Sequence, residues 1–171
     1  DEFHGAFHFI YQYILVSSVR DEKRHTSLLH DLHAIQKRLP PGTQDFIFLS
    51  NHDAFAGDRV ATQLRNHMPK MKNVASLYLL LSGNPTIYYG EEIGMQGGGS
   101  DHELRKPFQW DEAERQLKDP NSLLNHYTRL LRLRNHYDPL RGGETIFVRT
   151  HSEGSWDDYY SSSKTLSIIR I

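Results

Sequence analysis

Four consecutive polar residues, Ser50, Asn51, His52 and Asp53, close off the unbroken apolar run Phe46-Ile47-Phe48-Leu49. All four side chains can hydrogen-bond, and Asp53 as an ionised carboxylate is an acceptor only. In a parallel α/β fold, ligand-contacting side chains gather at the C-terminal ends of strands. That places Asp53 at the mouth of a site with His52 beside it. The competing reading is a turn and a helix cap, which the same residue types favour. Against it, Asp53 is followed by Ala54-Phe55-Ala56-Gly57, a poor helix start.

Other groups that could do chemistry are weaker. Glu91 and Glu92 are adjacent carboxylates, but neighbours on a strand-like backbone point apart. His30 and His33 stand one turn apart. A metal site needs at least a third ligand with supporting hydrogen bonds, so no metal is expected, and the pair reads as a solvated face. Gly97-Gly98-Gly99 suggests a mobile loop, since no phosphate-binding glycine spacing surrounds it.

The elements that must position these groups follow from pattern. The apolar run is too short for a helix and does not alternate, which suits a doubly buried parallel strand over 46–50. Residues 9–19 read as a buried helix. A second helix starts at Thr26, with Leu28, Leu29, Leu32, Ile35 and Leu39 at three- and four-residue steps, and Pro40-Pro41-Gly42 ends it. Val60–His67 suits a short helix, Pro69 the first turn of another, and Gly83 its C-terminal cap. Thr86–Tyr89 is β-branched and aromatic, the pattern of a second strand. Asp119-Pro120 suggests the start of a helix running to about Tyr137, which Pro139 and Gly142-Gly143 close. Strands follow at 145–150 and 165–171. A domain boundary falls near Leu140.

Composition bounds less. The chain has 171 residues, a formal net charge of −1, 37% hydrophobic residues and no cysteine. Near-neutral charge gives no reason to expect nucleic acid or an anionic membrane as partner. No stretch is apolar for long enough to span a bilayer, and no basic-then-apolar leader follows Asp1. Thiolate metal sites and disulfides are excluded.

The run FLSNHD resembles the last signature of the α-amylase family of glycoside hydrolases. Further similarities follow in order: GNPTIYYGEEIGM at 83–95, LRKPFQWDE at 104–112 and LLNHYTRLLRLRN at 123–135. The resemblance runs from about Phe3 onward. It implies a (β/α)8 barrel followed by a small β-sandwich. A whole barrel needs roughly 250 residues, so the expectation is a C-terminal fragment. Residues 1–140 would be the last two strands with their helices, preceded by a loop at 1–9, and 141–171 the start of the all-β domain. The missing N-terminal part of the barrel would be its partner. Alone, the chain should show an exposed apolar seam along these two strands, at Phe46, Phe48, Ile87 and Tyr89 or their alternates.

The resemblance also implies chemistry. The family hydrolyses α-linked glucose oligosaccharides and polysaccharides with retention, without a cofactor expected here. One carboxylate attacks the anomeric carbon and a carboxylic acid protonates the leaving oxygen. A third carboxylate grips ring hydroxyls, and the resemblance assigns that role to Asp53. His52 is similar to the neighbouring residue that hydrogen-bonds the same sugar, while Asn51 braces the loop or joins the binding site. Arg105 matches an arginine that contacts a terminal glucose, though Lys106 and Phe108 depart from the common motif. A loop salt bridge is its other reading. Arg59 lies six residues after Asp53 instead of the usual three, which marks it as structural. Trp110 is assigned to the core. The nucleophile and acid/base would lie upstream. A related transglycosylase or a non-catalytic amylase-like scaffold are the alternatives.

Overall fold

A computed structural model describes residues 5–22, 25–38, 43–148 and 167–171. Three parallel strands, β1 (Gly5–Phe7), β2 (Gln44–Ile47) and β3 (Asn84–Pro85), pair in that order. Gly5 stands opposite Gln44, and Ile47 opposite Pro85. Between β1 and β2 run α1 (Phe9–Arg20) and α2 (His25–Gln36), and between β2 and β3 run α3 (Val60–Gln63) and α4 (Met68–Leu80). Parallel neighbours require such crossovers.

Several helix starts are closed by side chains. His8 Nδ1 accepts from Tyr11 N–H at the start of α1, and His67 Nδ1 from Lys70 N–H at the start of α4, where Pro69 occupies the first turn. After β3 come α5 (Asp101–Leu104), α6 (Trp110–Leu117), α7 (Leu123–His136) and α8 (Asp138–Gly142). The core joins Tyr11, Leu15 and Val16 of α1 with Met71, Val74 and Tyr78 of α4 and Leu123, Tyr127 and Leu130 of α7. Arg134 of α7 is buried with them. Its guanidinium donates to the carbonyls of Leu79, Leu81 and Gly83, satisfying acceptors that the end of α4 leaves open.

Several expectations need correction. Residues 5–7 form a third strand where a loop was expected. A three-residue edge strand with exposed faces carries neither alternation nor an apolar run, so nothing local reveals it. β2 lies at 44–47, not 46–50. Phe48, Leu49 and Ser50 stay buried but unpaired in the ladder. The neighbouring strand expected at 86–89 is two residues long and sits at 84–85, where Pro85 is tolerated because the N–H of that position would point away from β2. The last link is Thr86 N–H to Ile47 O at 2.8 Å.

α4 is capped at Leu81, two residues before Gly83. α7 is capped by Ser122, whose hydroxyl accepts from Asn125 N–H at 3.1 Å. Asp119 instead holds a local turn by accepting from Asn121 N–H. The expected Pro40-Pro41-Gly42 stop lies outside the described residues.

The glycine run is held tightly. Gly97 exchanges hydrogen bonds with Thr62 Oγ1, and its carbonyl accepts from Arg59 N–H. A Cβ on Gly97 would sit 2.3 Å from Glu103 O, and one on Gly98 2.2 Å from the Asp58 carboxylate. These glycines are needed for close approach, not for mobility.

Beyond α8, β4 (Thr145–Val148) pairs antiparallel with β5 (Ser167–Arg170). The Arg170 guanidinium reaches back to Pro139 O at 2.9 Å. The intervening stretch and the ends of both expected strands lie outside the described residues. The apolar seam is displaced from its expected place. Phe48 is buried and Phe46 and Ile87 are half-buried, while Phe7, Phe9, Ile10 and Tyr13, on β1 and α1, are exposed. Only Tyr89 of the expected set is exposed.

Candidate active site

The polar run after β2 divides into two halves. Ser50 is buried, and its hydroxyl accepts from Val60 N–H at 2.9 Å, fixing the start of α3. Asn51 Oδ1 accepts from Asp53 N–H at 2.8 Å, folding the backbone into a tight side-chain-closed turn. These two residues do the bracing work that a turn demands. The next two do not. Asp53 precedes a short 3-10 turn at Ala54–Ala56, but its side chain makes no capping bond there.

Asp53 faces Arg105 instead. Arg105 Nη2 donates to Asp53 Oδ1 at 3.0 Å and to Asp101 Oδ2 at 3.0 Å, while its Nε donates to the His52 carbonyl at 3.0 Å. His52 Nε2 lies 3.3 Å from the same Asp53 oxygen. Asp101 Oδ1 accepts from Ala54 N–H at 2.7 Å, so the loop after β2 and the start of α5 are tied together. The result is a half-exposed group of two carboxylates, an arginine and a histidine, with Tyr88 near the His52 ring.

Behind this rim the strand ends are braced by buried charge. Arg59 is 1% exposed. It donates to Tyr89 O at 2.7 Å and Leu104 O at 2.6 Å, and its guanidinium lies 4.5 Å from the centre of the Tyr88 ring and 4.9 Å from that of Tyr89. Its structural assignment therefore stands. Glu91 is wholly buried and accepts from Tyr127 Oη at 3.0 Å. Burial pushes its carboxyl up to about 8, against the opposing pull of hydrogen bonds from Tyr127 and Ser50. Glu92, half-buried, is also raised, chiefly by burial. Both begin a 3-10 turn rather than lying on a strand.

A family model for the alpha-amylase catalytic domain matches residues 3–143. The chain belongs to the alpha-amylase family. It is 36% identical over 129 residues to alpha-amylase 3 of Dictyoglomus thermophilum, covering 62% of this chain and 25% of that protein. It is 29% identical over 175 residues to the intracellular maltogenic amylase of Bacillus subtilis strain 168, covering 97% of this chain and 27% of that one. Among solved structures, the alpha-amylase of H. orenii superposes with a TM-score of 0.76 at 30% identity, covering 85% of this chain and 34% of that chain. The chain thus spans about a quarter of the curated amylases it matches. Its βα units are consistent with part of an alpha-amylase (β/α)8 barrel.

Within this family member, the structure brings His52, Asp53 and Arg105 together and gives Asn51 a bracing contact. Asp101 joins them, and the sequence reading missed it. Its signal was faint: an acid four residues before Arg105, where one helical turn lets the pair meet. Trp110 requires correction. It is 72% exposed, not core, because it occupies the first position of α6 and faces outward beside Phe108.

Proposed function

We propose that this chain is the C-terminal portion of the catalytic barrel of a retaining α-glucan-acting glycoside hydrolase, residues 1–140, followed by the start of a β-sandwich domain, residues 141–171. The observation that carries the reading is the side chain of Asp53. It stands in the loop that leaves β2, is not spent on a cap, and has one oxygen held by Arg105 at 3.0 Å, with His52 Nε2 3.3 Å away. A carboxylate anchored on one edge presents its other edge in a fixed direction. Such an acceptor can take two sugar hydroxyls, and its hold strengthens as the ring flattens toward an oxocarbenium-like transition state.

The nucleophile attacks the anomeric carbon as the acid protonates the departing oxygen, and water then hydrolyses the glycosyl-enzyme. Those two groups come from the rest of the barrel. Its remaining strands would pair with the outer edge of β1 and cover Phe7, Phe9, Ile10 and Tyr13. The substrate class is an α-linked glucose oligosaccharide or polysaccharide. His52 and Asn51 bind alongside Asp53, and Arg105 aligns it. The test is direct. The longer protein should release reducing sugar from maltoheptaose, and the 171-residue chain alone should release none above a blank. Turnover by the isolated chain would overturn the assignment.

A further inference from the structure

The loop that leaves β2 and the glycine-rich loop before α5 are joined by a reciprocal pair of bonds. Asp58, in the first loop, accepts from Gly99 N–H in the second at 2.9 Å. Asp101, at the end of the second, accepts from Ala54 N–H in the first at 2.7 Å. Each loop gives a carboxylate to the other's backbone, and such charge-assisted bonds are stronger than neutral ones. The fit is close, since a Cβ on Gly98 would lie 2.2 Å from the Asp58 carboxylate.

The first loop reaches this far because of its length. Phe55, Ala56 and Gly57 widen the interval between Asp53 and Arg59 to six residues, and the arch they form is braced from inside. Gln12 of α1, itself buried, donates to Ala56 O at 3.3 Å, and Gln63 of α3 donates to Asp58 O at 2.7 Å. With its backbone held there, Asp58 carries a fixed position across to Gly99. The next residue, Ser100, caps α5 by accepting from Glu103 N–H at 3.3 Å. That short helix sets Asp101 and Arg105 one turn apart, and Arg105 in turn holds Asp53.

We propose that Asp58 is a positioning residue for the Asp53 site, fixing the start of α5 so that Arg105 keeps Asp53 aligned. The inference rests on the glucan-hydrolase reading for the reaction it serves. In the longer protein, Asp58→Ala should lower kcat on maltoheptaose about fivefold, with KM and thermal midpoint little changed. Asp58→Asn, whose amide oxygen still accepts from Gly99 N–H, should restore most of the loss. Because Asp58 acts through Arg105, adding Asp58→Ala to Arg105→Ala should lower kcat by less than about twofold more. Additive losses would overturn the proposal. So would a drop of more than about 5 °C in midpoint on Asp58→Ala, which would make Asp58 part of the scaffold. Amide hydrogen exchange supplies a readout free of catalysis. Asp58→Ala should speed exchange at Gly99 and at Glu103 to Arg105 by about fivefold or more, and leave α7 unchanged. Unchanged exchange at those amides would overturn the proposal whatever the kinetics. If the glucan-hydrolase reading fails, the unmutated longer protein releases no sugar, while exchange still decides whether Asp58 holds α5.

Discussion

Arg59 and Arg105 both reach the loops that leave β2 and β3, and their surroundings give them opposite tasks. Arg59 is buried, forks between two backbone carbonyls and lies over two tyrosine rings. Arg105 is about half exposed, at 49%, and holds two carboxylates and a carbonyl at the rim. The first spends its donors on backbone carbonyls, sharing that of Leu104 with the Tyr88 hydroxyl, and joins Gly97, Leu104 and Tyr89 into one unit. The second spends them on side chains that a ligand can also reach. Burial and partner type, rather than residue type, separate scaffold from site.

The comparison can be broken at its buried end first. Replacing Arg59 with Met removes the fork, strips the Tyr89 carbonyl of its buried donor and leaves that of Leu104 with the Tyr88 hydroxyl alone, and should cost about 2–4 kcal/mol in urea unfolding of the intact protein. Arg59→Lys should recover only part, because an ammonium cannot bridge both acceptors in a plane. A loss under about 1 kcal/mol for either would show that the buried fork contributes little.

Glu91 sharpens the same contrast through pH. Its folded carboxyl is raised to about 8 by burial, so the folded state keeps a proton that the unfolded chain releases near the ordinary value of 4.5. The stability linked to this group is fully present below that value. It falls by at most about 1.4 kcal/mol per pH unit as pH rises toward 8, and levels off above. Glu91→Gln should flatten this slope in a series of thermal melts between those limits. A variant that keeps the slope would mean that another group carries it.

At the exposed end the effects reverse in kind. Arg105→Ala should change folding stability by under about 1 kcal/mol, as exposed ion pairs do. Activity on maltoheptaose should fall by about tenfold or more as Asp53 loses its alignment. A large stability loss with retained turnover would place Arg105 in the scaffold beside Arg59.

Much of this was legible in the sequence because the relevant patterns are local. The helices at α1, α2 and α4 are visible as apolar spacing, and the strand end before Asp53 as an abrupt change from apolar to polar. β1 was invisible because it is three residues long and owes its existence to β2, a partner 39 positions away. The strand after Gly83 was misplaced because β-branched and aromatic residues suggested a ladder over 86–89, whereas pairing with β2 ends at the Thr86 N–H. Trp110 was misread because aromatic residues are usually buried, and only the helix start to which it belongs decides otherwise. At the site, the resemblance pointed to His52, Asp53 and Arg105. Their meeting depends on Asp101 and on a loop pinned by Gly97 and Gly98, which no spacing in the sequence announces.

The role proposed for Asp53 is to stabilise the transition state. The direct measurement is the steady-state kinetics of Asp53→Asn in the intact enzyme on a defined maltooligosaccharide. A fall in kcat of about 10²-fold or more with KM little changed is expected, the signature of a lost electrostatic contact that is strongest in the transition state. A near-normal kcat with only a raised KM would contradict it, and would make Asp53 a residue that binds ground state and transition state alike.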